Sequence, residues 1–185
     1  MTITIETHID DAAVAKFYGL YAKAFTPMQA RAAARHLLTG EEFAEEMADK
    51  RIEKYVAWDH DGEPTALLTF TADLSAVPWI SPAFYAARYP QETARGAVFY
   101  LGYTLVDRTR AAAQLFTDLC QALAERLAAA QAVCVYDVCA YNDSRSVGRM
   151  TEQLRSMGAA DIETLDVQTY YAASFVGKSN PGALR

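Results

Sequence analysis

Two arginines stand at a predicted turn between a strand and a helix, in the stretch LVDRTRAAAQLF from Leu105 to Phe116. The first amide N–H groups of a helix have no intrahelical partner, and the helix dipole favours an anion at that end. Arg108 and Arg110 could add charge-assisted hydrogen bonds to such an anion. The stretch therefore favours a phosphate site, although it lacks the glycines that such turns usually carry. The alternative is a solvated turn in which Thr109 caps the helix.

A second group of reactive side chains lies in the apolar stretch AVCVYDVCAY, residues 132–141. If this stretch is a strand, Asp137, Cys139 and Tyr141 share one face. A carboxylate is costly to bury without a partner, so we expect Asp137 to bond to a neighbour or to face a cleft. A structural brace and a catalytic or ammonium-binding role both fit this residue. No histidine accompanies Cys139 in sequence, which disfavours a cysteine nucleophile.

The bulk composition excludes several classes of protein. A net charge of −6 over 185 residues provides little attraction for nucleic acid or an anionic membrane surface. The three cysteines cannot form a disulfide framework, and with three scattered histidines they offer no metal-ligand spacing. No apolar run is long enough to span a bilayer, and the first residues lack the pattern of an export signal. We therefore expect a cytoplasmic protein with neither a nucleic-acid nor a membrane partner.

The first half of the chain predicts elements in the order β-α-α-β-β. An alternating start, TITIETH, predicts a strand, and an apolar stripe at helical spacing over Val14–Phe25 predicts the first helix. Thr39 and Glu42 have the spacing of a capping box, which predicts a second helix over residues 41–50. The Asp-Gly pair at residues 61–62 then indicates a hairpin between the strands KYVAWD and PTALLTFTAD.

A long aromatic insert separates this half from the next strand. Residues 74–96 contain three prolines, and a connection of this length typically covers a site or forms its own short helix. The following strand, over residues 97–107, contains Gly102, which indicates a bulge or a close backbone approach. A helix over residues 112–130 and a buried strand over 132–141 then imply a parallel crossover.

The end of the chain predicts one more helix and one more strand. Apolar residues at helical spacing predict a helix that ends at Gly158. The stretch ETLDVQTYYAASF, residues 163–175, predicts a final strand. We therefore expect one domain over residues 1–176, followed by a flexible tail over residues 177–185.

This order of elements resembles the GCN5-related N-acetyltransferase (GNAT) family over nearly the whole chain. The family signature, Arg/Gln-x-x-Gly-x-Gly/Ala, follows the fourth strand and wraps the pyrophosphate of coenzyme A (CoA). The stretch from Arg108 to Ala113 matches its outer frame, with Ala111 in place of the first glycine. The resemblance implies an α/β fold with a mixed, mostly antiparallel sheet, a splayed parallel strand pair and helices on both faces.

The resemblance also implies an activity and its partners. It implies transfer of an acyl group, most simply acetyl from acetyl-CoA, to an amine of a small molecule or peptide. Acetyl-CoA or another acyl-CoA is then the co-substrate, without a metal, and a homodimer is compatible with the family. The residues assigned to CoA binding are Leu105, Val106, Arg108, Thr109, Arg110, Ala111, Ala112, Ala113 and Asn142. A turn residue at a helix entry is an equally good interpretation of Asn142.

The usual proton donor of the family is missing from this sequence. The family commonly has a tyrosine four residues before a Gly-aromatic pair, whereas Leu154 stands four residues before Gly158. A thiolate is a tolerable leaving group, so this loss slows acyl transfer without forbidding it. The candidate catalytic residues are therefore Tyr141, our first choice of acid, with Asp137 and Tyr103. Two alternatives stay open: a non-catalytic ligand-binding domain and an acyltransferase that uses an acyl-carrier-protein donor.

Overall fold

The strands of this chain form one mixed sheet. The structure is a computed structural model that describes residues 2–33, 37–107, 112–143, 152 and 154–175. The strand order is β1-β2-β3-β4-β5, with antiparallel neighbours except for the parallel pair β4–β5. The strands are β1 (Thr2–Glu6), β2 (Glu53–Trp58), β3 (Pro64–Thr71), β4 (Val98–Val106) and β5 (Val133–Val135). The predicted mixed sheet with one parallel pair is confirmed.

Local sequence signals determine where the main helices begin. The Asp10 side chain accepts a hydrogen bond from the Ala13 amide, and both bonds of the predicted Thr39–Glu42 capping box are present. None of the helices in the described part of the chain combines the length and apolar character needed to cross a membrane. The helices are α1 (Asp11–Phe25), α2 (Gly40–Ala48), α3 (Pro82–Arg88), α4 (Pro90–Ala94), α5 (Ala112–Ala129) and α6 (Ala140–Asn142).

Helices cover both faces of the sheet, as predicted. One face packs against α1 and α2, and this cluster includes Phe17, Phe43, Val56, Leu67 and Leu105. The other face packs against α5, and this cluster includes Tyr55, Leu68, Phe70, Phe99, Leu115 and Leu119. The insert before β4 forms a third cluster with Val98, Tyr100 and Val135. The burial of apolar side chains on both faces is the main force that holds the sheet between its helices.

A bulge interrupts β4 at the glycine that the sequence singled out. Leu101 pairs with Phe70 and Thr104 pairs with Leu68, so both Gly102 and Tyr103 lie opposite Thr69. An extra residue on one strand shifts the alternation of its side chains from that point onward. As a result, Tyr103 contributes to the cluster under α1 and α2.

The strand predicted over residues 132–141 is much shorter in the structure. Its pairing with β4 ends at Tyr100 and Val135, just before the bulge. Residues 136–139 are irregular and α6 follows, and no strand among the described residues pairs with the backbone beyond Val135. The prediction that Asp137, Cys139 and Tyr141 share a strand face is therefore wrong.

The final strand predicted over residues 163–175 is also wrong, because these residues are described and are not in a strand. Alternating side chains predict a strand only where a neighbouring strand offers backbone partners, and the sheet order ends at β5. Tyr171 and Phe175 are accordingly 92% and 93% exposed. The predicted glycine end of the preceding helix is confirmed, since Gly158 has a φ of +101°. The predicted tail, 177–185, lies outside the described residues.

Candidate functional site

The separation of β4 from β5 opens a notch at one end of the sheet. Val98, Phe99 and Tyr100 pair with β5, whereas from Leu101 to Val106 the strand that pairs with β4 within the described ranges is β3. The chain after β5 is irregular over residues 136–139 and then forms α6. We refer to the space between the end of β4 and residues 136–143 as the cleft.

Every second backbone N–H group near the end of β4 faces the cleft. The Asp107 amide donates to the Thr65 carbonyl at 2.9 Å and the Tyr103 amide donates to the Thr69 hydroxyl at 3.1 Å, so both point toward β3. Because successive amides in a strand point to opposite edges, the N–H groups of Thr104 and Val106 point to the cleft edge. Leu105 directs its amide toward β3 by the same alternation, and its side chain is buried. Thr104 and Val106 are thus the donors on the cleft edge.

The Thr69 hydroxyl holds the bulge that sets this alternation. A Cβ at position 102 would overlap the Thr69 Oγ1 atom, so the bulge requires glycine at this position. The same hydroxyl accepts the Tyr103 amide, a backbone group that the bulge has removed from the regular ladder. A threonine on β3 therefore decides which β4 amides reach the cleft.

The predicted pyrophosphate loop falls mostly outside the described residues. Arg108, Thr109, Arg110 and Ala111 all lie there, so their predicted phosphate contacts stay a prediction. Helix α5 begins at Ala112, directly after the loop, so Ala112 and Ala113 lie in its first turn. Amides of a first helical turn are the donors that an anion needs.

Tyr141, the first-choice acid, contacts an arginine from the segment after α1. The Arg31 Nη1 atom donates to the Tyr141 hydroxyl oxygen at 2.8 Å, and the guanidinium carbon lies 4.8 Å from the ring centroid. Tyr141 and Asn142 belong to α6, the turn that replaces the predicted end of β5. A guanidinium on a phenol oxygen stabilises the negative charge that forms there when the phenol gives up its proton.

Asp137 contacts the aromatic insert. The Tyr100 hydroxyl donates to Asp137 Oδ1, and the Trp79 indole N–H reaches the same oxygen at 3.3 Å and the Tyr100 hydroxyl at 2.9 Å. Tyr100 is 4% exposed, whereas Trp79 is 59% exposed. The expected partner of this carboxylate is thus a buried tyrosine, with an exposed tryptophan above it.

Tyr103 lies on the other side of β4, in a cluster of rings. Its ring centroid is 5.3 Å from that of Tyr21 and 6.1 Å from that of Phe43. Burial, followed by the charge of Glu46, raises the pKa of Tyr103 well above its usual range. Its hydroxyl is shielded from water and makes no hydrogen bond of ordinary geometry among the described residues, although the Glu46 carboxylate is close enough to act on it. Such a phenol stays protonated at neutral pH but is a weak acid.

The three candidate catalytic residues therefore have three different sets of partners. Tyr141 and Asp137 both flank the cleft, in the segment after β5, while Tyr103 faces the helices α1 and α2. Sequence reasoning missed Arg31 and Thr69, which hold or support the candidates, and it noted Trp79 only as part of the aromatic insert. Only Thr69 left a signal, since a mid-strand glycine implies a close neighbour on the adjacent strand. In the part of the chain that the structure describes, no group of three or more His, Cys, Asp or Glu side chains is placed to hold a metal ion.

Comparisons with known proteins identify the fold. No protein-family model matches the sequence, and no curated protein matches it. Among solved structures, a probable acetyltransferase is similar, with 13% identity and a TM-score of 0.55 over 95% of this chain and 100% of that chain. The BH1408 protein from Bacillus halodurans, in a tetramutant form, has 15% identity and a TM-score of 0.53 over 91% of this chain and 100% of its own. Tetrahymena GCN5 has 10% identity and a TM-score of 0.49, covering 91% of this chain and 92% of its own.

The fold assignment rests on the first two structures, which this chain covers completely. Their similarity agrees with the sheet order and with a parallel pair β4–β5 that separates beyond Tyr100. The chain has the mixed α/β fold of the GCN5-related N-acetyltransferases.

Proposed function

We propose that this chain transfers an acyl group, most simply acetyl, from an acyl-CoA to an amine. The observation that carries this proposal is the edge of β4 beyond Tyr100, which no strand of the described residues pairs on the β5 side and where the N–H groups of Thr104 and Val106 face the cleft. The pantetheine arm of CoA contains amide groups, and an extended amide chain bonds to an unpaired strand edge as an added strand does. The cleft edge therefore fits the chemistry of this donor.

The reaction joins the amine nitrogen to the thioester carbonyl carbon. As the C–N bond forms, the carbonyl oxygen becomes an oxyanion, which a backbone N–H of β4 can stabilise. The C–S bond then breaks, the thiolate takes up a proton and the nitrogen loses one, so the products are an amide and free CoA thiol. The chain has to orient the two substrates, stabilise the oxyanion and supply the proton.

We assign the proton to Tyr141. Its hydroxyl lies in the segment that borders the cleft, and the Arg31 guanidinium on its oxygen would stabilise the phenolate formed after proton transfer. Tyr103 is the alternative donor, but its raised pKa makes it a poorer acid. The presence of Tyr141 would compensate for Leu154, which stands where the family commonly has a tyrosine.

The remaining CoA contacts follow the resemblance. Arg108, Thr109 and Arg110, with the amides of residues 111–113, would hold the pyrophosphate at the start of α5. Asn142 would contact the pantetheine arm from α6. We assign the whole activity to one domain over residues 1–176.

The direct test is to incubate the purified protein with acetyl-CoA and a broad panel of amines while free thiol is followed. Release of thiol that depends on one class of amine is the expected result. A thermal-shift titration with CoA, acetyl-CoA and longer acyl-CoAs measures donor binding separately, because a ligand of the folded state raises its melting temperature. Absence of both thiol release and any thermal shift would contradict the proposal.

A non-catalytic binding domain is the second candidate, favoured by Leu154 and by Ala111 in the predicted loop. This candidate keeps the cleft and binds an acyl-CoA without turning it over. Tight CoA binding together with no thiol release above background, across the whole panel, would favour it. An acyl-carrier-protein donor is tested in the same assay by replacing acetyl-CoA with the acylated carrier.

A further inference from the structure

The point at which β4 and β5 separate is covered by the aromatic insert. Tyr100 is the last β4 residue that pairs with β5, and Asp137 follows two residues after Val135. Trp79, from the insert, contacts both through its indole N–H. The three side chains therefore meet at the apex of the cleft, where the reactive end of an acyl donor would lie.

The described hydrogen bonds to the Asp137 carboxylate all reach one of its two oxygen atoms. Tyr100 and Trp79 both donate to Oδ1, and within the described ranges no hydrogen bond reaches Oδ2. Asp137 itself is exposed. A brace between strands would use both carboxylate oxygens, whereas here the described hydrogen bonds reach one oxygen of an exposed residue, whose orientation a buried tyrosine fixes.

Trp79 places an aromatic surface beside this carboxylate. Its side chain is 59% exposed although its N–H is fixed. A fixed and exposed indole next to a carboxylate combines the two features that bind alkylammonium groups, a negative ring face and a charged acceptor. The ring also offers apolar surface to the carbon chain that carries the ammonium.

The surroundings add negative charge at the same place. Burial raises the pKa of Tyr85, and the charges of Asp137 and Asp166 raise it further. Both carboxylates therefore act on the Tyr85 hydroxyl, and Tyr85 packs against the same cluster as Tyr100. Asp166 is thus a second carboxylate close enough to act on this cluster.

We propose that Asp137, Trp79 and Tyr100 form a binding site for an alkylammonium group, and that the acceptor is a polyamine or another molecule with at least two amino groups. The binding site stands on the geometry alone, while its role in selecting the acceptor rests on the proposed acyl transfer. A carboxylate favours the protonated form of the amine that it holds, and a protonated amine cannot attack a thioester. The nitrogen held by Asp137 is therefore not the one that reacts, and a second amino group must reach the cleft.

The binding test uses spermidine as the probe and the emission of Trp79 as the signal. The chain has two tryptophans, so Trp58→Phe leaves Trp79 as the sole tryptophan, and its emission is excited selectively at wavelengths that tyrosine does not absorb. We expect spermidine to change this emission saturably without any acyl donor present. Butylamine should bind more weakly, and butanol should cause no saturable change. A response to butanol equal to that of spermidine would overturn the ammonium site.

Charge variants locate the site. Asp137→Asn keeps an oxygen for Tyr100 but removes the charge, and should weaken spermidine binding about tenfold or more. Asp61→Asn, in the β2–β3 turn, removes the same charge elsewhere and should change the affinity less than about twofold. Should Asp137→Asn fail to fold, Trp79→Ala, measured by calorimetry, should weaken binding at least about threefold. Unchanged affinity in a folded Asp137→Asn or in Trp79→Ala would overturn the proposal.

Turnover separates this site from the proposed function. If spermidine binds as described and is acetylated from acetyl-CoA, with the KM for spermidine raised in Asp137→Asn and kcat little changed, both inferences stand. If spermidine binds and no acyl donor releases thiol, the ammonium site stands and the enzyme proposal falls. If thiol release occurs with amines that lack a second amino group just as well, the acceptor assignment is wrong while acyl transfer remains.

Discussion

The Thr69 hydroxyl oxygen lies where a side chain at residue 102 would have to be, and it accepts the amide hydrogen of Tyr103 at 3.1 Å. One hydroxyl group thereby stabilises the bulged register between β3 and β4. The bulge turns the Thr104 and Val106 amides toward the cleft, so the geometry of the candidate site depends on a residue that does not line it.

Gly102→Ala tests this dependence. The new methyl group forces Thr69 to move and breaks its bond to the Tyr103 amide, so we expect the free energy of unfolding to fall by about 1 to 3 kcal/mol. In a Thr69→Ala background the same change should cost clearly less, because the overlapping oxygen is gone. Urea denaturation of the four proteins measures this coupling. Additive effects would contradict the steric explanation.

Removing the hydroxyl group from either of two β4 tyrosines should have opposite effects on the stability of the protein. Tyr103→Phe removes a buried hydroxyl without a hydrogen-bond partner among the described residues, so stability should be unchanged or higher by up to about 1 kcal/mol. Tyr100→Phe removes the donor to Asp137 and the acceptor for Trp79, and should cost about 1 to 3 kcal/mol. Chemical denaturation compares the two. A larger loss in Tyr103→Phe than in Tyr100→Phe would reverse our interpretation.

Lys54 should make stability depend on pH in the alkaline range. This residue is 0% exposed, and its ammonium donates to the carbonyls of Thr7 and Asp49 at 3.1 and 2.6 Å. Burial lowers the pKa of Lys54 from 10.5 to about 8, although Asp49 and Glu46 oppose the shift. Between these two values the unfolded chain binds more protons than the folded one, so the Lys54 contribution to the free energy of unfolding rises with pH.

The rise expected from Lys54 is about 1 to 3 kcal/mol across that window, and the contribution is constant below it. Cys120 and Cys134, whose pKa values burial raises to about 11 and about 12, act with the opposite sign at higher pH. The comparison is therefore with Lys54→Met, which keeps both cysteines. Denaturation at several pH values should show that the free energy of unfolding rises less steeply with pH in the variant. An identical pH dependence in the two proteins would refute the assignment.

Tyr141 and Arg31 should act as a unit in catalysis. Tyr141→Phe should lower the rate of thiol release about 10²-fold or more with little change in CoA affinity, the usual scale for a positioned acid. Arg31→Met should lower the rate less, and should have no further effect in the Tyr141→Phe background. Turnover that survives Tyr141→Phe would remove this residue as the acid and leave acyl transfer standing.

The predicted pyrophosphate loop can be tested by binding. Replacing both Arg108 and Arg110 with alanine should weaken CoA binding by about 2 to 4 kcal/mol, at about 1 to 2 for each charge-assisted contact. Arg51 and Arg88 provide the control, because each already pairs with a surface carboxylate, and their double replacement should leave the affinity nearly unchanged. Calorimetry measures both. Equal losses of CoA affinity in the two double variants would mean that the loop arginines act only through the overall charge of the protein.

Local signals predicted the fold well where structure depends on neighbours in sequence. The capping box of α2, the apolar stripe of α1 and the Asp-Gly turn all involve residues that are close together in sequence, and each is confirmed. The ends of the sheet were mispredicted because a strand needs a partner. The apolar character of residues 136–141 is real, but the described pairing with β4 stops at Tyr100, just before the β4 bulge, and within the described ranges no other strand pairs with these residues.

The site was harder to predict than the fold because its contacts are distant in sequence. Arg31 and Tyr141 are separated by 110 residues, and Trp79 and Asp137 by 58. No periodic pattern connects such pairs, so the sequence named Asp137 and Tyr141 but not their partners. For Asp137 the need of a carboxylate for a partner predicted that one exists, without saying which residue provides it.

Among the strands of the described residues, β5 is also the last one in the sheet, and it is only three residues long. A long, flat strand edge invites strands of other molecules to pair with it, and natural proteins often shorten such edges. Because the chain leaves the sheet after Val135 and curls into α6, an approaching strand finds very few backbone groups to bond. The early end of β5 that opens the cleft therefore also protects this side of the molecule from edge-to-edge aggregation at high concentration.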